Sequence, residues 1–265
     1  MGLLQKTKIL LIVEGAKTKP KLFKHFINLK SDISNISIVS VNTNIYSLYK
    51  RILKYDEEFF AGAADTIDVL REILKEDGRL SDAEKIKDKF GEIYLFFDFE
   101  YQDKNIPDDE KYSFLNGMQK YFSEETDHGL LLINYPMIEA YRDFNPPAPS
   151  NSYYCVDIDI SDIKEKKYKE IVGKRGYDLD ISSYNIDLFE NVIIQNIEKA
   201  NYIINNKYEL PEYKEFLSYI YESILLKKEF DYIKQKNKIS VVCTCIYILI
   251  SYYGKEYYNK LKNRL

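Results

Sequence analysis

The chain has 265 residues, 45% of them hydrophobic, and its 38 basic and 42 acidic side chains give a net charge of −4. That length supports one large domain or two small ones, and that composition excludes a chain too polar to fold. The slight acidity excludes a protein that coats nucleic acid through overall positive charge, and leaves room for a local basic patch.

The opening residues lack the layout of a signal peptide. Lys6 and Lys8 precede an apolar run that ends at Glu14, with no cleavage-like region. Residues 7–13 read as a first strand, and Gly15 supplies a permissive turn residue directly after Glu14. Thr18 is placed to cap a helix with Pro20 in its first turn. Leu22, Phe23, Phe26, Ile27 and Leu29 continue that helix at its spacing. Residues 36–41 read as a second strand. Ile45, Leu48, Tyr49, Ile52 and Leu53 mark a helix, residues 66–75 mark another, and the charged stretch 79–90 reads as exposed.

Residues 92–97 form the third strand. A polar loop follows over 101–109, then a helix over about 110–123. Residues 130–133 form a further strand, broken by Asn134-Tyr135-Pro136, and Met137 to Tyr141 read as a first helical turn. Strands alternating with helices predict an α/β fold with a mostly parallel sheet and right-handed crossovers. Asn145-Pro146-Pro147-Ala148-Pro149-Ser150-Asn151 reads as a linker. It divides a domain over 1–144 from one over 152–265. Beyond it a short strand is expected over 153–158, then helices over about 163–172, 184–206, 211–236 and 239–262. The longest apolar stretch, 239–253, is too short and too rich in tyrosine for a membrane span and reads as core. Cys155, Cys243 and Cys245 form no disulfide framework, so a reduced, cytoplasmic protein is expected.

Chemistry concentrates where apolar runs end in carboxylate. Buried parallel strands deliver side chains at their C-terminal ends to the sheet edge where ligands of open α/β sheets bind. If strands one and three are neighbours, Glu14, Asp98 and Glu100 converge there. Carboxylates brought that close repel, and a hard divalent cation, Mg²⁺ or Mn²⁺, resolves the repulsion. Strand alternation puts Asp98 and Glu100 on one side with Phe99 opposite. Asp103 can add a ligand or support one, and Asn134 and Glu139 follow the next strand toward the same edge. Lys17, Lys19, Lys21 and Lys24 follow the Glu-Gly turn, where lysines can meet a phosphate backbone. For each acid a bland alternative exists. Glu14 can serve a helix start or pair with a nearby lysine, Asp98 and Glu100 can be a solvated loop entry, and Glu139 can sit at a helix start for the dipole alone. His25 and His128 lack metal-ligand spacing. The chain has no Walker A loop, no GxGxxG and no paired-cysteine motif.

Ile12-Val13-Glu14-Gly15 followed by a helix, with Phe97-Asp98-Phe99-Glu100 at a later strand end, resembles the Toprim domain. That domain is shared by topoisomerases, bacterial primases, OLD-family nucleases and smaller nuclease-like proteins. The family has Asp-x-Asp at the second position, where this chain has Glu100 as its second acid. Glu14-Gly15-Ala16-Lys17-Thr18-Lys19-Pro20 is similar to the Glu-Gly-x-Lys-Thr-Glu-Pro opening of RloB-like proteins of bacterial defence loci, with Lys19 in place of their acid. The segment 134–139 is similar to their Asn-Pro-x-x-Glu stretch. The resemblance covers about residues 7–142.

It implies a Toprim-like sheet and a Mg²⁺-dependent nuclease acting on DNA or RNA, as a toxic effector in anti-phage defence. Glu14 would be the metal-linked general acid/base, Asp98 and Glu100 the metal holders, and Asp103 an auxiliary acid. Lys17, Lys19, Asn134 and Glu139 would line the substrate, and a second ion can assist the leaving oxygen. The main alternative is a catalytically degenerate module that binds or regulates alongside a partner such as an ATPase. A domain binding a small phosphorylated ligand is a third reading. The Tyr- and Ile-rich helical tail can pack on the first domain or form a homo-oligomer.

Overall fold

The computed structural model describes residues 8–30, 35–55, 57, 65–144, 157–175 and 180–264. The elements run β1 (Ile9–Val13), α1 (Thr18–Leu29), β2 (Ile36–Ser40), α2 (Ile45–Tyr55), α3 (Thr66–Glu76), α4 (Leu80–Lys85), β3 (Glu92–Asp98), α5 (Lys111–Tyr121), β4 (Ser123–Glu124) and β5 (Gly129–Asn134). A 3₁₀ turn (Ile138–Arg142) follows, then β6 (Asp157–Asp159), α6 (Ile160–Lys164), α7 (Tyr168–Arg175), α8 (Ile186–Asn205), α9 (Tyr213–Tyr221), α10 (Ile224–Lys236), β7 (Lys238–Ser240) and α11 (Ile248–Lys262). The result is an α/β protein with a mostly parallel five-stranded sheet, flanking helices and a helical C-terminal region. Among the described residues no helix is long and apolar enough to cross a membrane.

The chain divides into two compact units, one of Met1–Phe97 with Met118–Leu131 and one of Asp98–Gly117 with Leu132–Leu265. The Pro-rich segment read as a linker, and most of the strand expected over 153–158, lie outside the described residues.

In the first unit β1 pairs in parallel with β2 and with β3, and the sheet order is β2-β1-β3-β5-β4. All five residues of β1 are buried, as a central strand covered on both faces requires. Each such side chain contributes about 1.5–3 kcal/mol of burial as an upper bound. Phe23 of α1 packs against Phe96 of β3 with ring centroids 4.3 Å apart and ring planes tilted by 35°, which fixes the first helix over the sheet. Gly129 opens β5 at φ +113, and a Cβ there would lie 2.6 Å from Leu95 Cδ1. Glycine is therefore demanded at that point by both backbone and space.

Three local expectations change in this unit. Thr18 is the first residue of α1 and not its cap; Lys17 holds the cap position and makes no side-chain capping bond. Gly15 has no positive φ, and a Cβ on it would meet nothing within 4 Å, so the turn does not need glycine for conformation. The stretch 79–90 contains α4, which buries Ala83 and is followed by buried Ile86; its density of charge hid one short apolar face.

In the second unit α8 is the longest helix, at 20 residues. Asn185 caps it by accepting the Leu188 N–H at 2.8 Å, and Asn206 ends it in the left-handed region. The helices expected over 163–172 and 211–236 are each broken in two, at Lys166 (φ +60) and Ser223 (φ +56). The expected helix over 239–262 begins only at Ile248. Residues 238–240 instead form β7, antiparallel to β6, and Val242 bridges Tyr135. Ile239, Val241 and Val242 are β-branched, and burial on both sides made their run unreadable as helix or strand by periodicity alone. Gly254, at φ +68, interrupts α11.

Candidate metal centre

Parallel pairing in register places the acids. Val13, the last residue of β1, lies opposite Phe96 of β3. Glu14 therefore leaves β1 at the same end at which β3 runs out into Asp98. One carboxylate oxygen each from Glu14, Asp98 and Glu100 lies within 4.8 Å of the others, and all three residues are partly buried. Two oxygens bound to one Mg²⁺ stand at most about 4.2 Å apart, twice the usual bond length. The separations in the cluster thus exceed that limit by at most a fraction of an ångström. Its donors are oxygen only, the chemistry of a hard divalent cation.

Glu100 reaches the cluster by a route that strand alternation does not describe. β3 ends at Asp98, and Glu100 adopts φ +47, in the left-handed region. For a non-glycine residue this conformation carries strain. Gln102 donates from Nε2 to Glu100 Oε2 at 2.6 Å, and the loop beyond is tied down by Lys111. Lys111 is 1% exposed, and its ammonium donates to the Tyr101 carbonyl at 2.5 Å and to Asp108 Oδ1 at 2.6 Å. It also lies 4.7 Å from the centroid of the Tyr101 ring. Neither Gln102 nor Lys111 stood out in the sequence. The one available signal was a lysine opening a helix, where a cation is unfavourable unless something holds it.

Asn134, expected to touch substrate, is fully buried and works inward. Its Nδ2 donates to Asp98 Oδ1 at 3.3 Å, and its Oδ1 accepts the Cys245 N–H at 3.1 Å. The Cys243 thiol lies 3.6 Å from the same oxygen. Residues 242–245 hold this stretch throughout. Tyr135 and Val242 exchange two backbone bonds of 2.8 Å, and Thr244 Oγ1 donates to the Ile133 carbonyl at 2.8 Å. The C-terminal segment thereby orients an amide on a candidate ligand.

Of the remaining expected residues, Lys19 touches a clustered acid, and Asp103 and Glu139 are not among the clustered acids. Asp103 Oδ1 accepts the Asn105 N–H at 2.6 Å. Glu139 is buried outside the cluster and pairs with Lys169 at 3.0 Å, while its Oε2 has no hydrogen-bond partner among the described residues. Lys17 is exposed beside Gly15. Lys19 is 3% exposed, and its ammonium lies 3.0 Å from Glu14 Oε2. The bland alternative for Glu14, a nearby lysine, is thus present in the structure.

No family model matches the chain, and no curated protein or solved structure matches it.

Proposed function

We propose that this protein is a Toprim-like, Mg²⁺- or Mn²⁺-dependent nuclease that hydrolyses phosphodiester bonds of DNA or RNA. The observation that carries the reading is the convergence of Glu14, Asp98 and Glu100 on one point at the strand ends. The resemblance of Glu14-Gly15 and Asp98-Phe99-Glu100 to the Toprim motif supports it. A toxic effector of anti-phage defence is the role that the same resemblance favours.

In this reading Asp98 and Glu100 hold the ion and Glu14 shares it. The bound ion would polarise a phosphoryl oxygen and ease deprotonation of water. Glu14 handles the proton: as the water oxygen bonds to phosphorus and the bond to the leaving sugar oxygen breaks, a carboxylate in reach takes one proton and returns it to the leaving group. Asn134 keeps Asp98 in place. Exposed Lys17, at the start of α1, receives the phosphate backbone.

The ion pair between Lys19 and Glu14 favours a second reading, in which a resident lysine has replaced the metal and the module only binds. The deciding experiment incubates purified protein with single- and double-stranded DNA and RNA in Mn²⁺, Mg²⁺ or EDTA. It repeats the assay with Glu14→Gln and Asp98→Asn. Cleavage that needs the ion and disappears in both variants supports the nuclease. Metal-independent cleavage, or equal activity in the variants, overturns it.

A further inference from the structure

Lys111 is buried where a lysine has little reason to be. It opens α5 at a helix end that disfavours cations, and no acidic side chain stands in the first turn of that helix. Burying its ammonium is costly unless acceptors meet it. Pairing with Asp108 does not require that burial, because the Asp108 side chain is itself half exposed. The partner that lies inward is Tyr101, the residue directly after Glu100. Lys111 Nζ donates to the Tyr101 carbonyl at 2.5 Å and stands 4.7 Å from the centroid of its ring. Asp108 receives Lys111 on one oxygen at 2.6 Å and Lys164 of α6 on the other at 3.1 Å. The Lys111 bond first, and the Lys164 bond after it, hold the Asp108 carboxyl below its ordinary range against a partial loss of water.

Glu100 needs a hold of this kind. A non-glycine residue at φ +47 keeps that conformation only where its surroundings over-determine it. On one side, the Phe99 N–H donates to the carbonyls of Asn134 at 3.0 Å and Pro136 at 3.2 Å. On the other side stands Tyr101 with its carbonyl on Lys111. Between them the Asp103 N–H closes the turn on the Glu100 carbonyl at 2.9 Å. The Phe99 and Tyr101 rings lie 5.7 Å apart, and each packs against Phe230 of α10.

We propose that Lys111 is a positioning residue of the metal centre: by fixing Tyr101 it maintains the strained turn at Glu100, and with it the aim of the Glu100 carboxylate at the ion. This rests on the metal-dependent reading above. Lys111 acts on the ion through Glu100, so its effect on metal binding disappears when the Glu100 carboxylate is absent.

The test is a double-variant cycle in Mn²⁺ affinity, read by calorimetric titration of the wild type, Lys111→Met, Glu100→Gly and the pair, at a temperature where thermal melts show all four folded. Lys111→Met keeps the apolar stem and removes the charge. In the wild-type background it should weaken Mn²⁺ binding at least ~10-fold, the size usual for a group that orients a ligand. In the Glu100→Gly background it should weaken binding by less than ~2-fold, since no carboxylate is left to aim. The electron paramagnetic resonance spectrum of bound Mn²⁺ in Lys111→Met should move from that of the wild type toward that of Glu100→Gly, because the same ligand is displaced. If Lys111→Met does not fold, Asp108→Asn loosens the same hold from its half-exposed side and takes its place in the cycle, with the same pattern expected. A loss in the wild-type background no larger than that in Glu100→Gly, or a bound-ion spectrum unchanged from the wild type, makes Lys111 a packing residue. Either result overturns this proposal and leaves the metal reading standing. No Mn²⁺ bound by the wild type overturns the metal reading itself and this proposal with it.

Discussion

Asn134 joins Asp98 to the C-terminal segment: its amide nitrogen lies 3.3 Å from the Asp98 carboxylate while its oxygen takes the Cys245 N–H. The Cys245 bond settles which end of the amide faces Asp98, since only an oxygen can accept that N–H. An acid at a strand end is thus aimed by a residue on β5, and that residue by a loop more than a hundred positions later in the chain.

Replacing Asn134 with alanine should therefore act in two ways. A buried N–H at Cys245 loses its acceptor, at a cost of about 1–3 kcal/mol. Asp98 loses its orienting donor, and groups of this kind typically carry 10–100-fold in metal affinity. Chemical denaturation and Mn²⁺ titration should both register Asn134→Ala. Loss of stability with unchanged Mn²⁺ affinity would reduce Asn134 to a packing residue.

Glu100 offers the opposite trade. Its φ of +47 is a conformation that glycine adopts without strain. Glu100→Gly should raise the stability of the metal-free protein by roughly 1 kcal/mol, the difference between relieved strain and added chain entropy. It should also lower Mn²⁺ affinity by at least ~10-fold, since one of the three clustered carboxylates is gone. A variant that is both less stable and fully metal-competent would show that Glu100 serves the loop and not the ion.

The main elements of the first unit were legible because their residues obey one period each. β1 and β3 are unbroken apolar runs ending in acid, and α1 and α2 repeat at helical spacing. The convergence of Glu14 and Asp98 followed from assuming that β1 and β3 are neighbours, which they are. What stayed hidden depends on long-range pairing. Asn134 read as a substrate-facing group at the sheet edge, whereas it is buried with Cys245 as a partner, and Lys19 read as one of four lysines placed to meet a phosphate backbone although it is buried against Glu14. Glu100 reached the cluster through a left-handed residue that alternation cannot foresee. The segment 239–247 is buried whichever way it folds, so hydrophobicity alone could not choose its form.

Glu229 predicts a pH dependence. It lies fully buried on α10, accepting the Ser240 N–H at 3.0 Å, and burial pushes its carboxyl up to about 8 from an ordinary 4.5, with Ser240 pulling it partly back. Between those values the folded protein keeps a proton that the unfolded chain has released. Its contribution to stability is complete below pH 4.5 and is lost as pH rises toward 8, by about 1.4 kcal/mol per unit. Glu198, raised to about 7 by burial, adds in the same direction. Glu229→Gln fixes the neutral form, so the stability of the variant relative to wild type should climb steadily from pH 5 to pH 8. Denaturant midpoints at each pH measure it, and a constant difference would mean that Glu229 is not held protonated by the fold.

Gly129 tests how the sheet presents Asn134, five residues further along β5. Alanine there meets Leu95 Cδ1 at 2.6 Å and Ile93 Cγ2 at 3.1 Å, on a backbone at φ +113. The steric part and the backbone part add, and Gly129→Ala should cost about 2–4 kcal/mol. The two parts separate in a double-mutant cycle with Leu95→Ala, which removes the nearest clashing atom and leaves both the Ile93 contact and the φ in place. The pair should be more stable than the sum of its single changes by at least ~0.5–1 kcal/mol, the usual scale of coupling between residues in contact. Strict additivity would place the whole cost in the backbone and make Leu95 a bystander. Mn²⁺ affinity measured on the same variants shows whether displacement at the start of β5 travels to its end. If Asn134 aims Asp98 through a rigid strand, affinity should fall in Gly129→Ala and recover in the double variant.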